Sequence, residues 1–96
     1  MIDFGFDPQQ ACEMPRWSST APGQSANYPH DNPDALNLES RFSESLRADL
    51  ARRGHNVVAL GALEGPCSVE IIRRDAETGL LTAGSDPRID GWALAW

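Results

Sequence analysis

Gly84-Ser85-Asp86-Pro87-Arg88-Ile89-Asp90-Gly91 runs directly into Trp92-Ala93-Leu94-Ala95-Trp96, and the architecture is read outward from this stretch. A turn holding two glycines, a proline, two aspartates and an arginine is costly to order unless its polar groups pair with one another. The alternation of large and small residues over 92–96 predicts a strand, placing the end of the chain inside a folded sheet rather than in a tail. Trp92 and Trp96 left at an exposed end would invite aggregation, so both are expected to be buried.

Working backwards, Leu80-Leu81-Thr82-Ala83 predicts a strand returning from a hairpin turn at Asp75-Ala76-Glu77-Thr78-Gly79. The outgoing strand reads as Cys67 to Arg74, preceded by a loop from Gly61 to Pro66, and Val57-Val58-Ala59-Leu60 reads as another strand. Between Ser43 and Arg53, Leu46 and Leu50 lie one turn apart, Phe42 leads in, and Gly54 follows. This predicts a helix with a serine cap, a glycine stop and one apolar face. Ala35-Leu36-Asn37-Leu38-Glu39-Ser40 alternates apolar and polar residues and predicts a strand with one wet face.

From Trp17 to Asp34 the composition turns to serine, proline, asparagine and glycine, and neither the helical nor the strand period is sustained. The expectation is a long ordered loop with Tyr28-Pro29-His30 as its bulky cluster. Before it, Asp7 followed by Pro8 suits a helix cap and first turn, with the helix closed by Pro15. Gly5 suits a break from an earlier helix, and the apolar Ile2, Phe4 and Phe6 imply polypeptide ahead of Met1 that covers them. The order of elements predicts an α+β fold, an antiparallel sheet covered by helices on one face.

At 96 residues the chain is one small domain or part of a larger one, and 41% apolar composition supports folding rather than wholesale disorder. The net charge is −6, and all eight basic residues are arginine, so nucleic acid and anionic membranes are excluded as favoured partners. No apolar run approaches the ~20 residues of a membrane span, and the first residues lack the pattern of a signal peptide. Cys12 and Cys67 are compatible with one disulfide, but free, largely buried thiols are the preferred reading.

Other clusters admit two readings each. Asp86, Arg88 and Asp90 suit either an anion site or a self-paired turn that stitches the last strand to its neighbours, and the second is preferred. His30 and His55 lack metal-ligand spacing; His55, just past a helix stop, suits a contact with the helix dipole. Ser18, Ser19 and Thr20 lack the glycine-framed elbow of a nucleophile and read as loop. Arg73-Arg74 reads as an ordinary strand end.

Five pieces in collinear order carry a family resemblance: Ile2-Asp3-Phe4-Gly5-Phe6-Asp7-Pro8-Gln9-Gln10-Ala11, Pro15-Arg16-Trp17, Leu38-Glu39-Ser40-Arg41-Phe42, Arg53-Gly54-His55-Asn56-Val57 and Gly84-Ser85-Asp86-Pro87-Arg88. Together they resemble the C-terminal part of the small subunit of gamma-glutamyltransferase, on its bacterial gamma-glutamyltransferase-like branch. The resemblance covers essentially the whole chain as a single C-terminal portion of a domain. It implies an N-terminal-nucleophile hydrolase, a four-layer αββα sandwich whose precursor cuts itself to expose a threonine. That threonine is the nucleophile and its own α-amine the base in breaking gamma-glutamyl amides, with acyl transfer to water or an amino acid.

Within these 96 residues the threonine with its following Thr-His motif, the paired serines of the gamma-glutamyl pocket and the paired oxyanion glycines are all missing. Thr20, Thr78 and Thr82 have neither the right neighbours nor a terminal position. No catalytic residue is therefore assigned, and neither a cofactor nor a metal is expected. Pro15, Arg16, Gly84, Ser85, Asp86, Pro87 and Arg88 are expected to be supporting structure. Two functional expectations follow: a scaffold portion of such an enzyme, inactive alone and partnered by the rest of that polypeptide, or a free-standing non-enzymatic module that pairs with a second copy. The parent enzyme is expected in the cytoplasm or periplasm.

Overall fold

Asp7 turns the chain into its first helix as the cap residue: its carboxylate accepts from Gln10 N at 2.8 Å while Gln10 Oε1 accepts from Asp7 N at 3.1 Å. This reciprocal pair satisfies two donors that a helix start leaves unpaired, and Pro8 costs nothing in the first turn. The helix, α1, spans Pro8–Glu13 and stops at Met14, ahead of Pro15. Before it, Ile2 to Phe4 form a turn and Gly5 takes φ +69°. The computed structural model describes residues 1–20 and 34–94. They fall into two units, one of Met1–Met14 with Cys67–Trp96 and one of Pro15–Pro66.

In the first unit, β4 (Glu70–Arg74) and β5 (Leu81–Ser85) form an antiparallel pair in which Ile72 faces Ala83. Asp75 makes the turn: its Oδ1 accepts from Glu77 N, Thr78 N and Thr78 Oγ1 at 2.7–3.0 Å, and Gly79 adopts φ +74°. These bonds, first that from the Thr78 backbone, then the Thr78 hydroxyl, then the Glu77 backbone, hold the Asp75 carboxyl below its ordinary 3.8. A folded-state value below the unfolded one contributes stability above the unfolded value and loses it as pH falls through the folded one. The Glu77 and Thr78 amide resonances are expected to titrate together at that low pH, and Asp75→Asn to abolish the titration in an NMR pH series.

Helix α1 packs on the inner face of this hairpin, where Gly84 is buried. A Cβ built at Gly84 would lie 2.5 Å from Pro8 C and 2.6 Å from Gln9 N, both backbone atoms that no rotamer change relieves. Gln9 uses the closeness: its Oε1 accepts from Ser85 N and its Nε2 donates to Ser85 O, both at 3.0 Å. Gly84→Ala is therefore expected to push α1 off the hairpin at a cost of about 1–3 kcal/mol, read as a lowered urea midpoint.

In the second unit, β1 (Trp17–Ser19), β2 (Leu36–Glu39) and β3 (Val57–Leu60) form a sheet in that order. Between β2 and β3 runs α2 (Glu44–Arg52), capped by Ser43 Oγ accepting from Leu46 N at 3.2 Å and ended by Gly54 at φ +96°. Among the described residues, Ala35 and Leu38 are buried apolar residues here, as Pro8 and Cys12 are in the first unit.

The α+β class agrees with this arrangement of helices and small sheets, while several details differ from the expectations. There are two sheets among the described residues rather than one, and β2 and β3 pair in parallel, because the intervening helix carries the chain back to the end where β2 began. The expected loop starting at Trp17 opens instead as strand β1, which takes in Ser18 and Ser19 and pairs with β2. Residues 21–33 of that stretch, including Tyr28 and His30, lie outside the described residues. β4 begins at Glu70 rather than Cys67, since Val69 commits its N–H to Asp86 and its carbonyl to the Cys12 thiol. β5 runs on through Gly84 and Ser85, so the terminal turn begins only at Asp86. Glu39 lies on the supposedly wet side of β2 yet is fully buried. Residues 92–94 form no strand, and Trp92 is 87% exposed rather than buried. Trp96 lies outside the described residues. The thiols are not alike: Cys12 is buried, whereas Cys67 is exposed, with φ +66°.

Candidate functional site

A buried carboxylate must be compensated, because taking its charge out of water costs several kcal/mol. Two are described in this chain, Glu39 at 0% and Asp86 at 1% exposure, one in each unit.

Asp86 ends β5. It accepts from Val69 N at 3.2 Å, Arg88 N at 3.0 Å and Arg88 Nη1 at 2.9 Å. The Arg88 side chain, only 3% exposed, reaches onward, its Nη1 donating to Cys12 O at 3.3 Å and its Nη2 to Met14 O at 3.0 Å. Those are carbonyls of the end of α1, which have no partners along the helix. A cation at a helix C-terminus is also favoured by the dipole. One guanidinium thus neutralises Asp86 and closes α1, 74 residues away in sequence from Met14.

Of the other residues singled out in the sequence, Ser85 donates from Oγ to Glu70 Oε1 at 2.8 Å, Gly84 is the close approach to α1, and Pro87 is exposed in the turn. Asp90 is exposed and outside the Asp86–Arg88 pair.

Glu39 is the counterpart in the other unit. Its Oε2 accepts from Arg16 N at 2.9 Å and Arg41 Nη2 at 3.0 Å, and its Oε1 accepts from Gly65 N at 2.8 Å. Arg41 Nε donates to Ala62 O at 2.7 Å, and the backbone of Glu39 donates to Arg16 O at 3.0 Å. The carboxylate therefore fastens the lead-in to β1 and the 61–66 loop to the end of β2. Gly65 is required by closeness: a Cβ there would lie 2.7 Å from both Arg16 Cβ and Glu39 Oε1. Arg16 enters through its backbone, preceded by a half-buried Pro15. Sequence reasoning missed Glu39 because strand alternation assigns it to solvent; the signal available was an arginine two residues on.

A cavity of about 390 Å³ lies between the sheet of this unit and α2, lined by Trp17, Leu36, Leu38, Phe42, Leu46, Leu50 and His55. Its wall is almost entirely apolar, with only an indole and an imidazole as polar-bearing side chains, so it offers apolar contact and no paired acid and base. His55 follows α2, and its backbone N–H donates to Leu50 O at 3.2 Å, the helix-end contact made by the main chain. Thr20 Oγ1 bonds Ala35 N at 3.2 Å and Thr78 Oγ1 donates to Asp75, so both serve the backbone and the turn. Among the described residues no group of three His, Cys, Asp or Glu is placed to hold a metal, and no helix is long and apolar enough to cross a membrane.

Comparison with known proteins adds to this geometry. The family described as Gamma-glutamyltranspeptidase matches residues 1–96. The chain is 32% identical over 94 residues to the Glutathione hydrolase-like YwrD proenzyme of Bacillus subtilis (strain 168), covering 98% of this chain and 17% of that protein. Among solved structures it is similar to cephalosporin acylase from Bacillus halodurans, with a TM-score of 0.74 and 34% identity over 99% of this chain and 16% of that one. It is likewise similar to LmbA2991HD, at 0.74 and 30% identity over 92% of this chain and 15% of the other. The chain thus spans about a sixth of the length of these relatives.

Proposed function

Because this chain belongs to the gamma-glutamyltranspeptidase family, we propose that its 96 residues serve as the C-terminal scaffold of a gamma-glutamyl transfer or hydrolysis enzyme and are inactive by themselves. The observation that carries this reading is where the buried charge goes. Asp86, Arg88 and Glu39, the groups a site would draw on, are bonded to helix-end carbonyls, loop amides and one another. A nucleophile needs a base within hydrogen-bond reach and donors aimed at a developing oxyanion. Here the hydroxyls of Thr20 and Thr78 meet backbone and turn instead.

In this reading the reaction is amide cleavage by acyl transfer, the nucleophilic threonine and oxyanion donors come from polypeptide outside these residues, and that polypeptide is the partner. Pro15, Arg16 and Gly84 to Arg88 hold scaffold geometry. The names of the relatives, a glutathione hydrolase-like proenzyme and a cephalosporin acylase, agree with amide substrates in general.

Two measurements test it. The purified chain is expected to release no product from a gamma-glutamyl anilide above background, and release would overturn the reading. Exchanged for the matching segment of the Bacillus subtilis relative, these residues are expected to support a cleaved, active protein, and the Arg88→Met version to lose both properties.

A second reading, a free-standing non-enzymatic module pairing with a second copy, is favoured by the exposed Ile72, Trp92 and Leu94.

A further inference from the structure

The two edges of the β4–β5 hairpin are treated differently. Asp75 N donates to Leu80 O, so residues 71, 73 and 75 exchange backbone bonds with β5, while the N–H and C=O groups of Glu70, Ile72 and Arg74 point to the outer edge. On β5 the outward groups of Ser85 are taken by the Gln9 amide, which bonds both its N–H and its C=O as a neighbouring strand would. The outer edge of β4 has no strand beside it among the described residues. Natural proteins pair, cover or charge such an edge.

The side chains on this strand are self-complementary. Glu70, Ile72 and Arg74 share one face and all are exposed, Ile72 by 71%. If a second β4 lies antiparallel alongside with Ile72 on the two-fold axis, Glu70 stands directly opposite the partner's Arg74, and Arg74 opposite the partner's Glu70. Opposite charges directly across an antiparallel pair stabilise it, and like charges destabilise it. Arg74 has no ion pair within the chain among the described residues. Trp92 and Leu94, 87% and 68% exposed, line the same pocket as Glu70 and Ile72, and flank the edge with apolar surface. A parallel approach, or one shifted by a residue, loses the charge matching.

We infer that the outer edge of β4 is an interface between two copies of this chain, joined as a continuous antiparallel sheet centred on Ile72 and fixed in register by two reciprocal Glu70–Arg74 pairs. This is an isologous contact, closed by its own symmetry, so it ends at two copies. It shares the second copy with the module reading above, but does not depend on whether the chain is catalytic, since the test reads mass and not acyl transfer.

The test is sedimentation equilibrium of the full chain at moderate salt, with far-UV circular dichroism as the check on folding. Wild type is expected at twice the 10.5 kDa chain mass. Glu70→Arg and Arg74→Glu are each expected to weaken self-association about tenfold or more, since each turns two attractive pairs into two repulsive ones. The double variant, which restores opposite charges in swapped positions, is expected to recover it. Because Glu70 also accepts from Ser85, Arg74→Glu decides the matter if Glu70→Arg fails to fold. A folded monomer at every concentration, a dimer indifferent to Arg74→Glu, or a folded double variant that stays monomeric overturns the proposal. So does saturation of the edge only by polypeptide from the rest of a family enzyme.

Discussion

Arg88→Met is expected to unfold or nearly unfold the unit built from α1 and the β4–β5 hairpin. The substitution keeps much of the side-chain volume but removes the guanidinium that neutralises Asp86 and closes α1 at Cys12 and Met14. Leaving one member of a buried ion pair alone costs about 3–5 kcal/mol, comparable to the whole stability of a small domain, roughly 5 kcal/mol at the low end. Surface pairs make the contrast. Arg52 and Arg53 both meet Asp49 on α2 but are 76% and 70% exposed, and such pairs contribute about 0.3–0.5 kcal/mol. Arg52→Met is therefore expected to leave the urea midpoint almost unchanged while Arg88→Met moves it strongly. Hydrogen exchange should place the Arg88→Met loss in β4 and β5. Adding Asp86→Asn to Arg88→Met should recover part of it, because the stranded charge is then gone. If Arg88→Met matched Arg52→Met in midpoint, the buried pair would not be holding this unit together.

Glu39→Gln is the second large effect. The replacement is nearly isosteric, so it tests charge and polarity rather than volume. A carboxylate accepts at both oxygens, whereas an amide presents donors at one end, and those would face either Gly65 N or Arg16 N and Arg41 Nη2. At least one backbone donor loses its partner, and a hydrogen bond to a charged group is worth about 1.5–3 kcal/mol. The expected loss of stability is about 2–3 kcal/mol, with the 61–66 loop released first and the Gly65 amide gaining exchange. Glu64→Gln is the control: Glu64 is exposed and, among the described residues, accepts from Gly61 N at 2.6 Å, so the same chemical change there should cost little. Equal effects at 39 and 64 would show that burial of Glu39 carries no weight.

Both residues sit within the stretches that resemble the family, Leu38-Glu39-Ser40-Arg41-Phe42 and Gly84-Ser85-Asp86-Pro87-Arg88, yet the sequence disclosed their roles unequally. The Asp86–Arg88 pair was legible because two opposite charges flank a proline in one turn. Its use of Arg88 on the carbonyls of α1 was not, since nothing in residues 84–91 points to Cys12 or Met14. Strand alternation puts Glu39 toward solvent, and the large–small alternation of the last residues puts Trp92 inside a sheet. Each is a local pattern that holds only where the tertiary neighbours are the usual ones.

By itself the sequence determined the elements governed by interactions within four or five residues. These are the Asp7–Gln10 capping box, the Ser43 cap and Gly54 stop, and the Asp75–Gly79 turn. Each is closed by bonds between near neighbours, so the residues that make it also announce it. Only the tertiary structure decided the parallel pairing of β2 with β3, the division into two sheets, the burial of Glu39 and the reach of Arg88 to α1. Those depend on which distant backbone groups lack partners once the elements have packed, and a buried donor or acceptor takes whatever charge the fold brings to it.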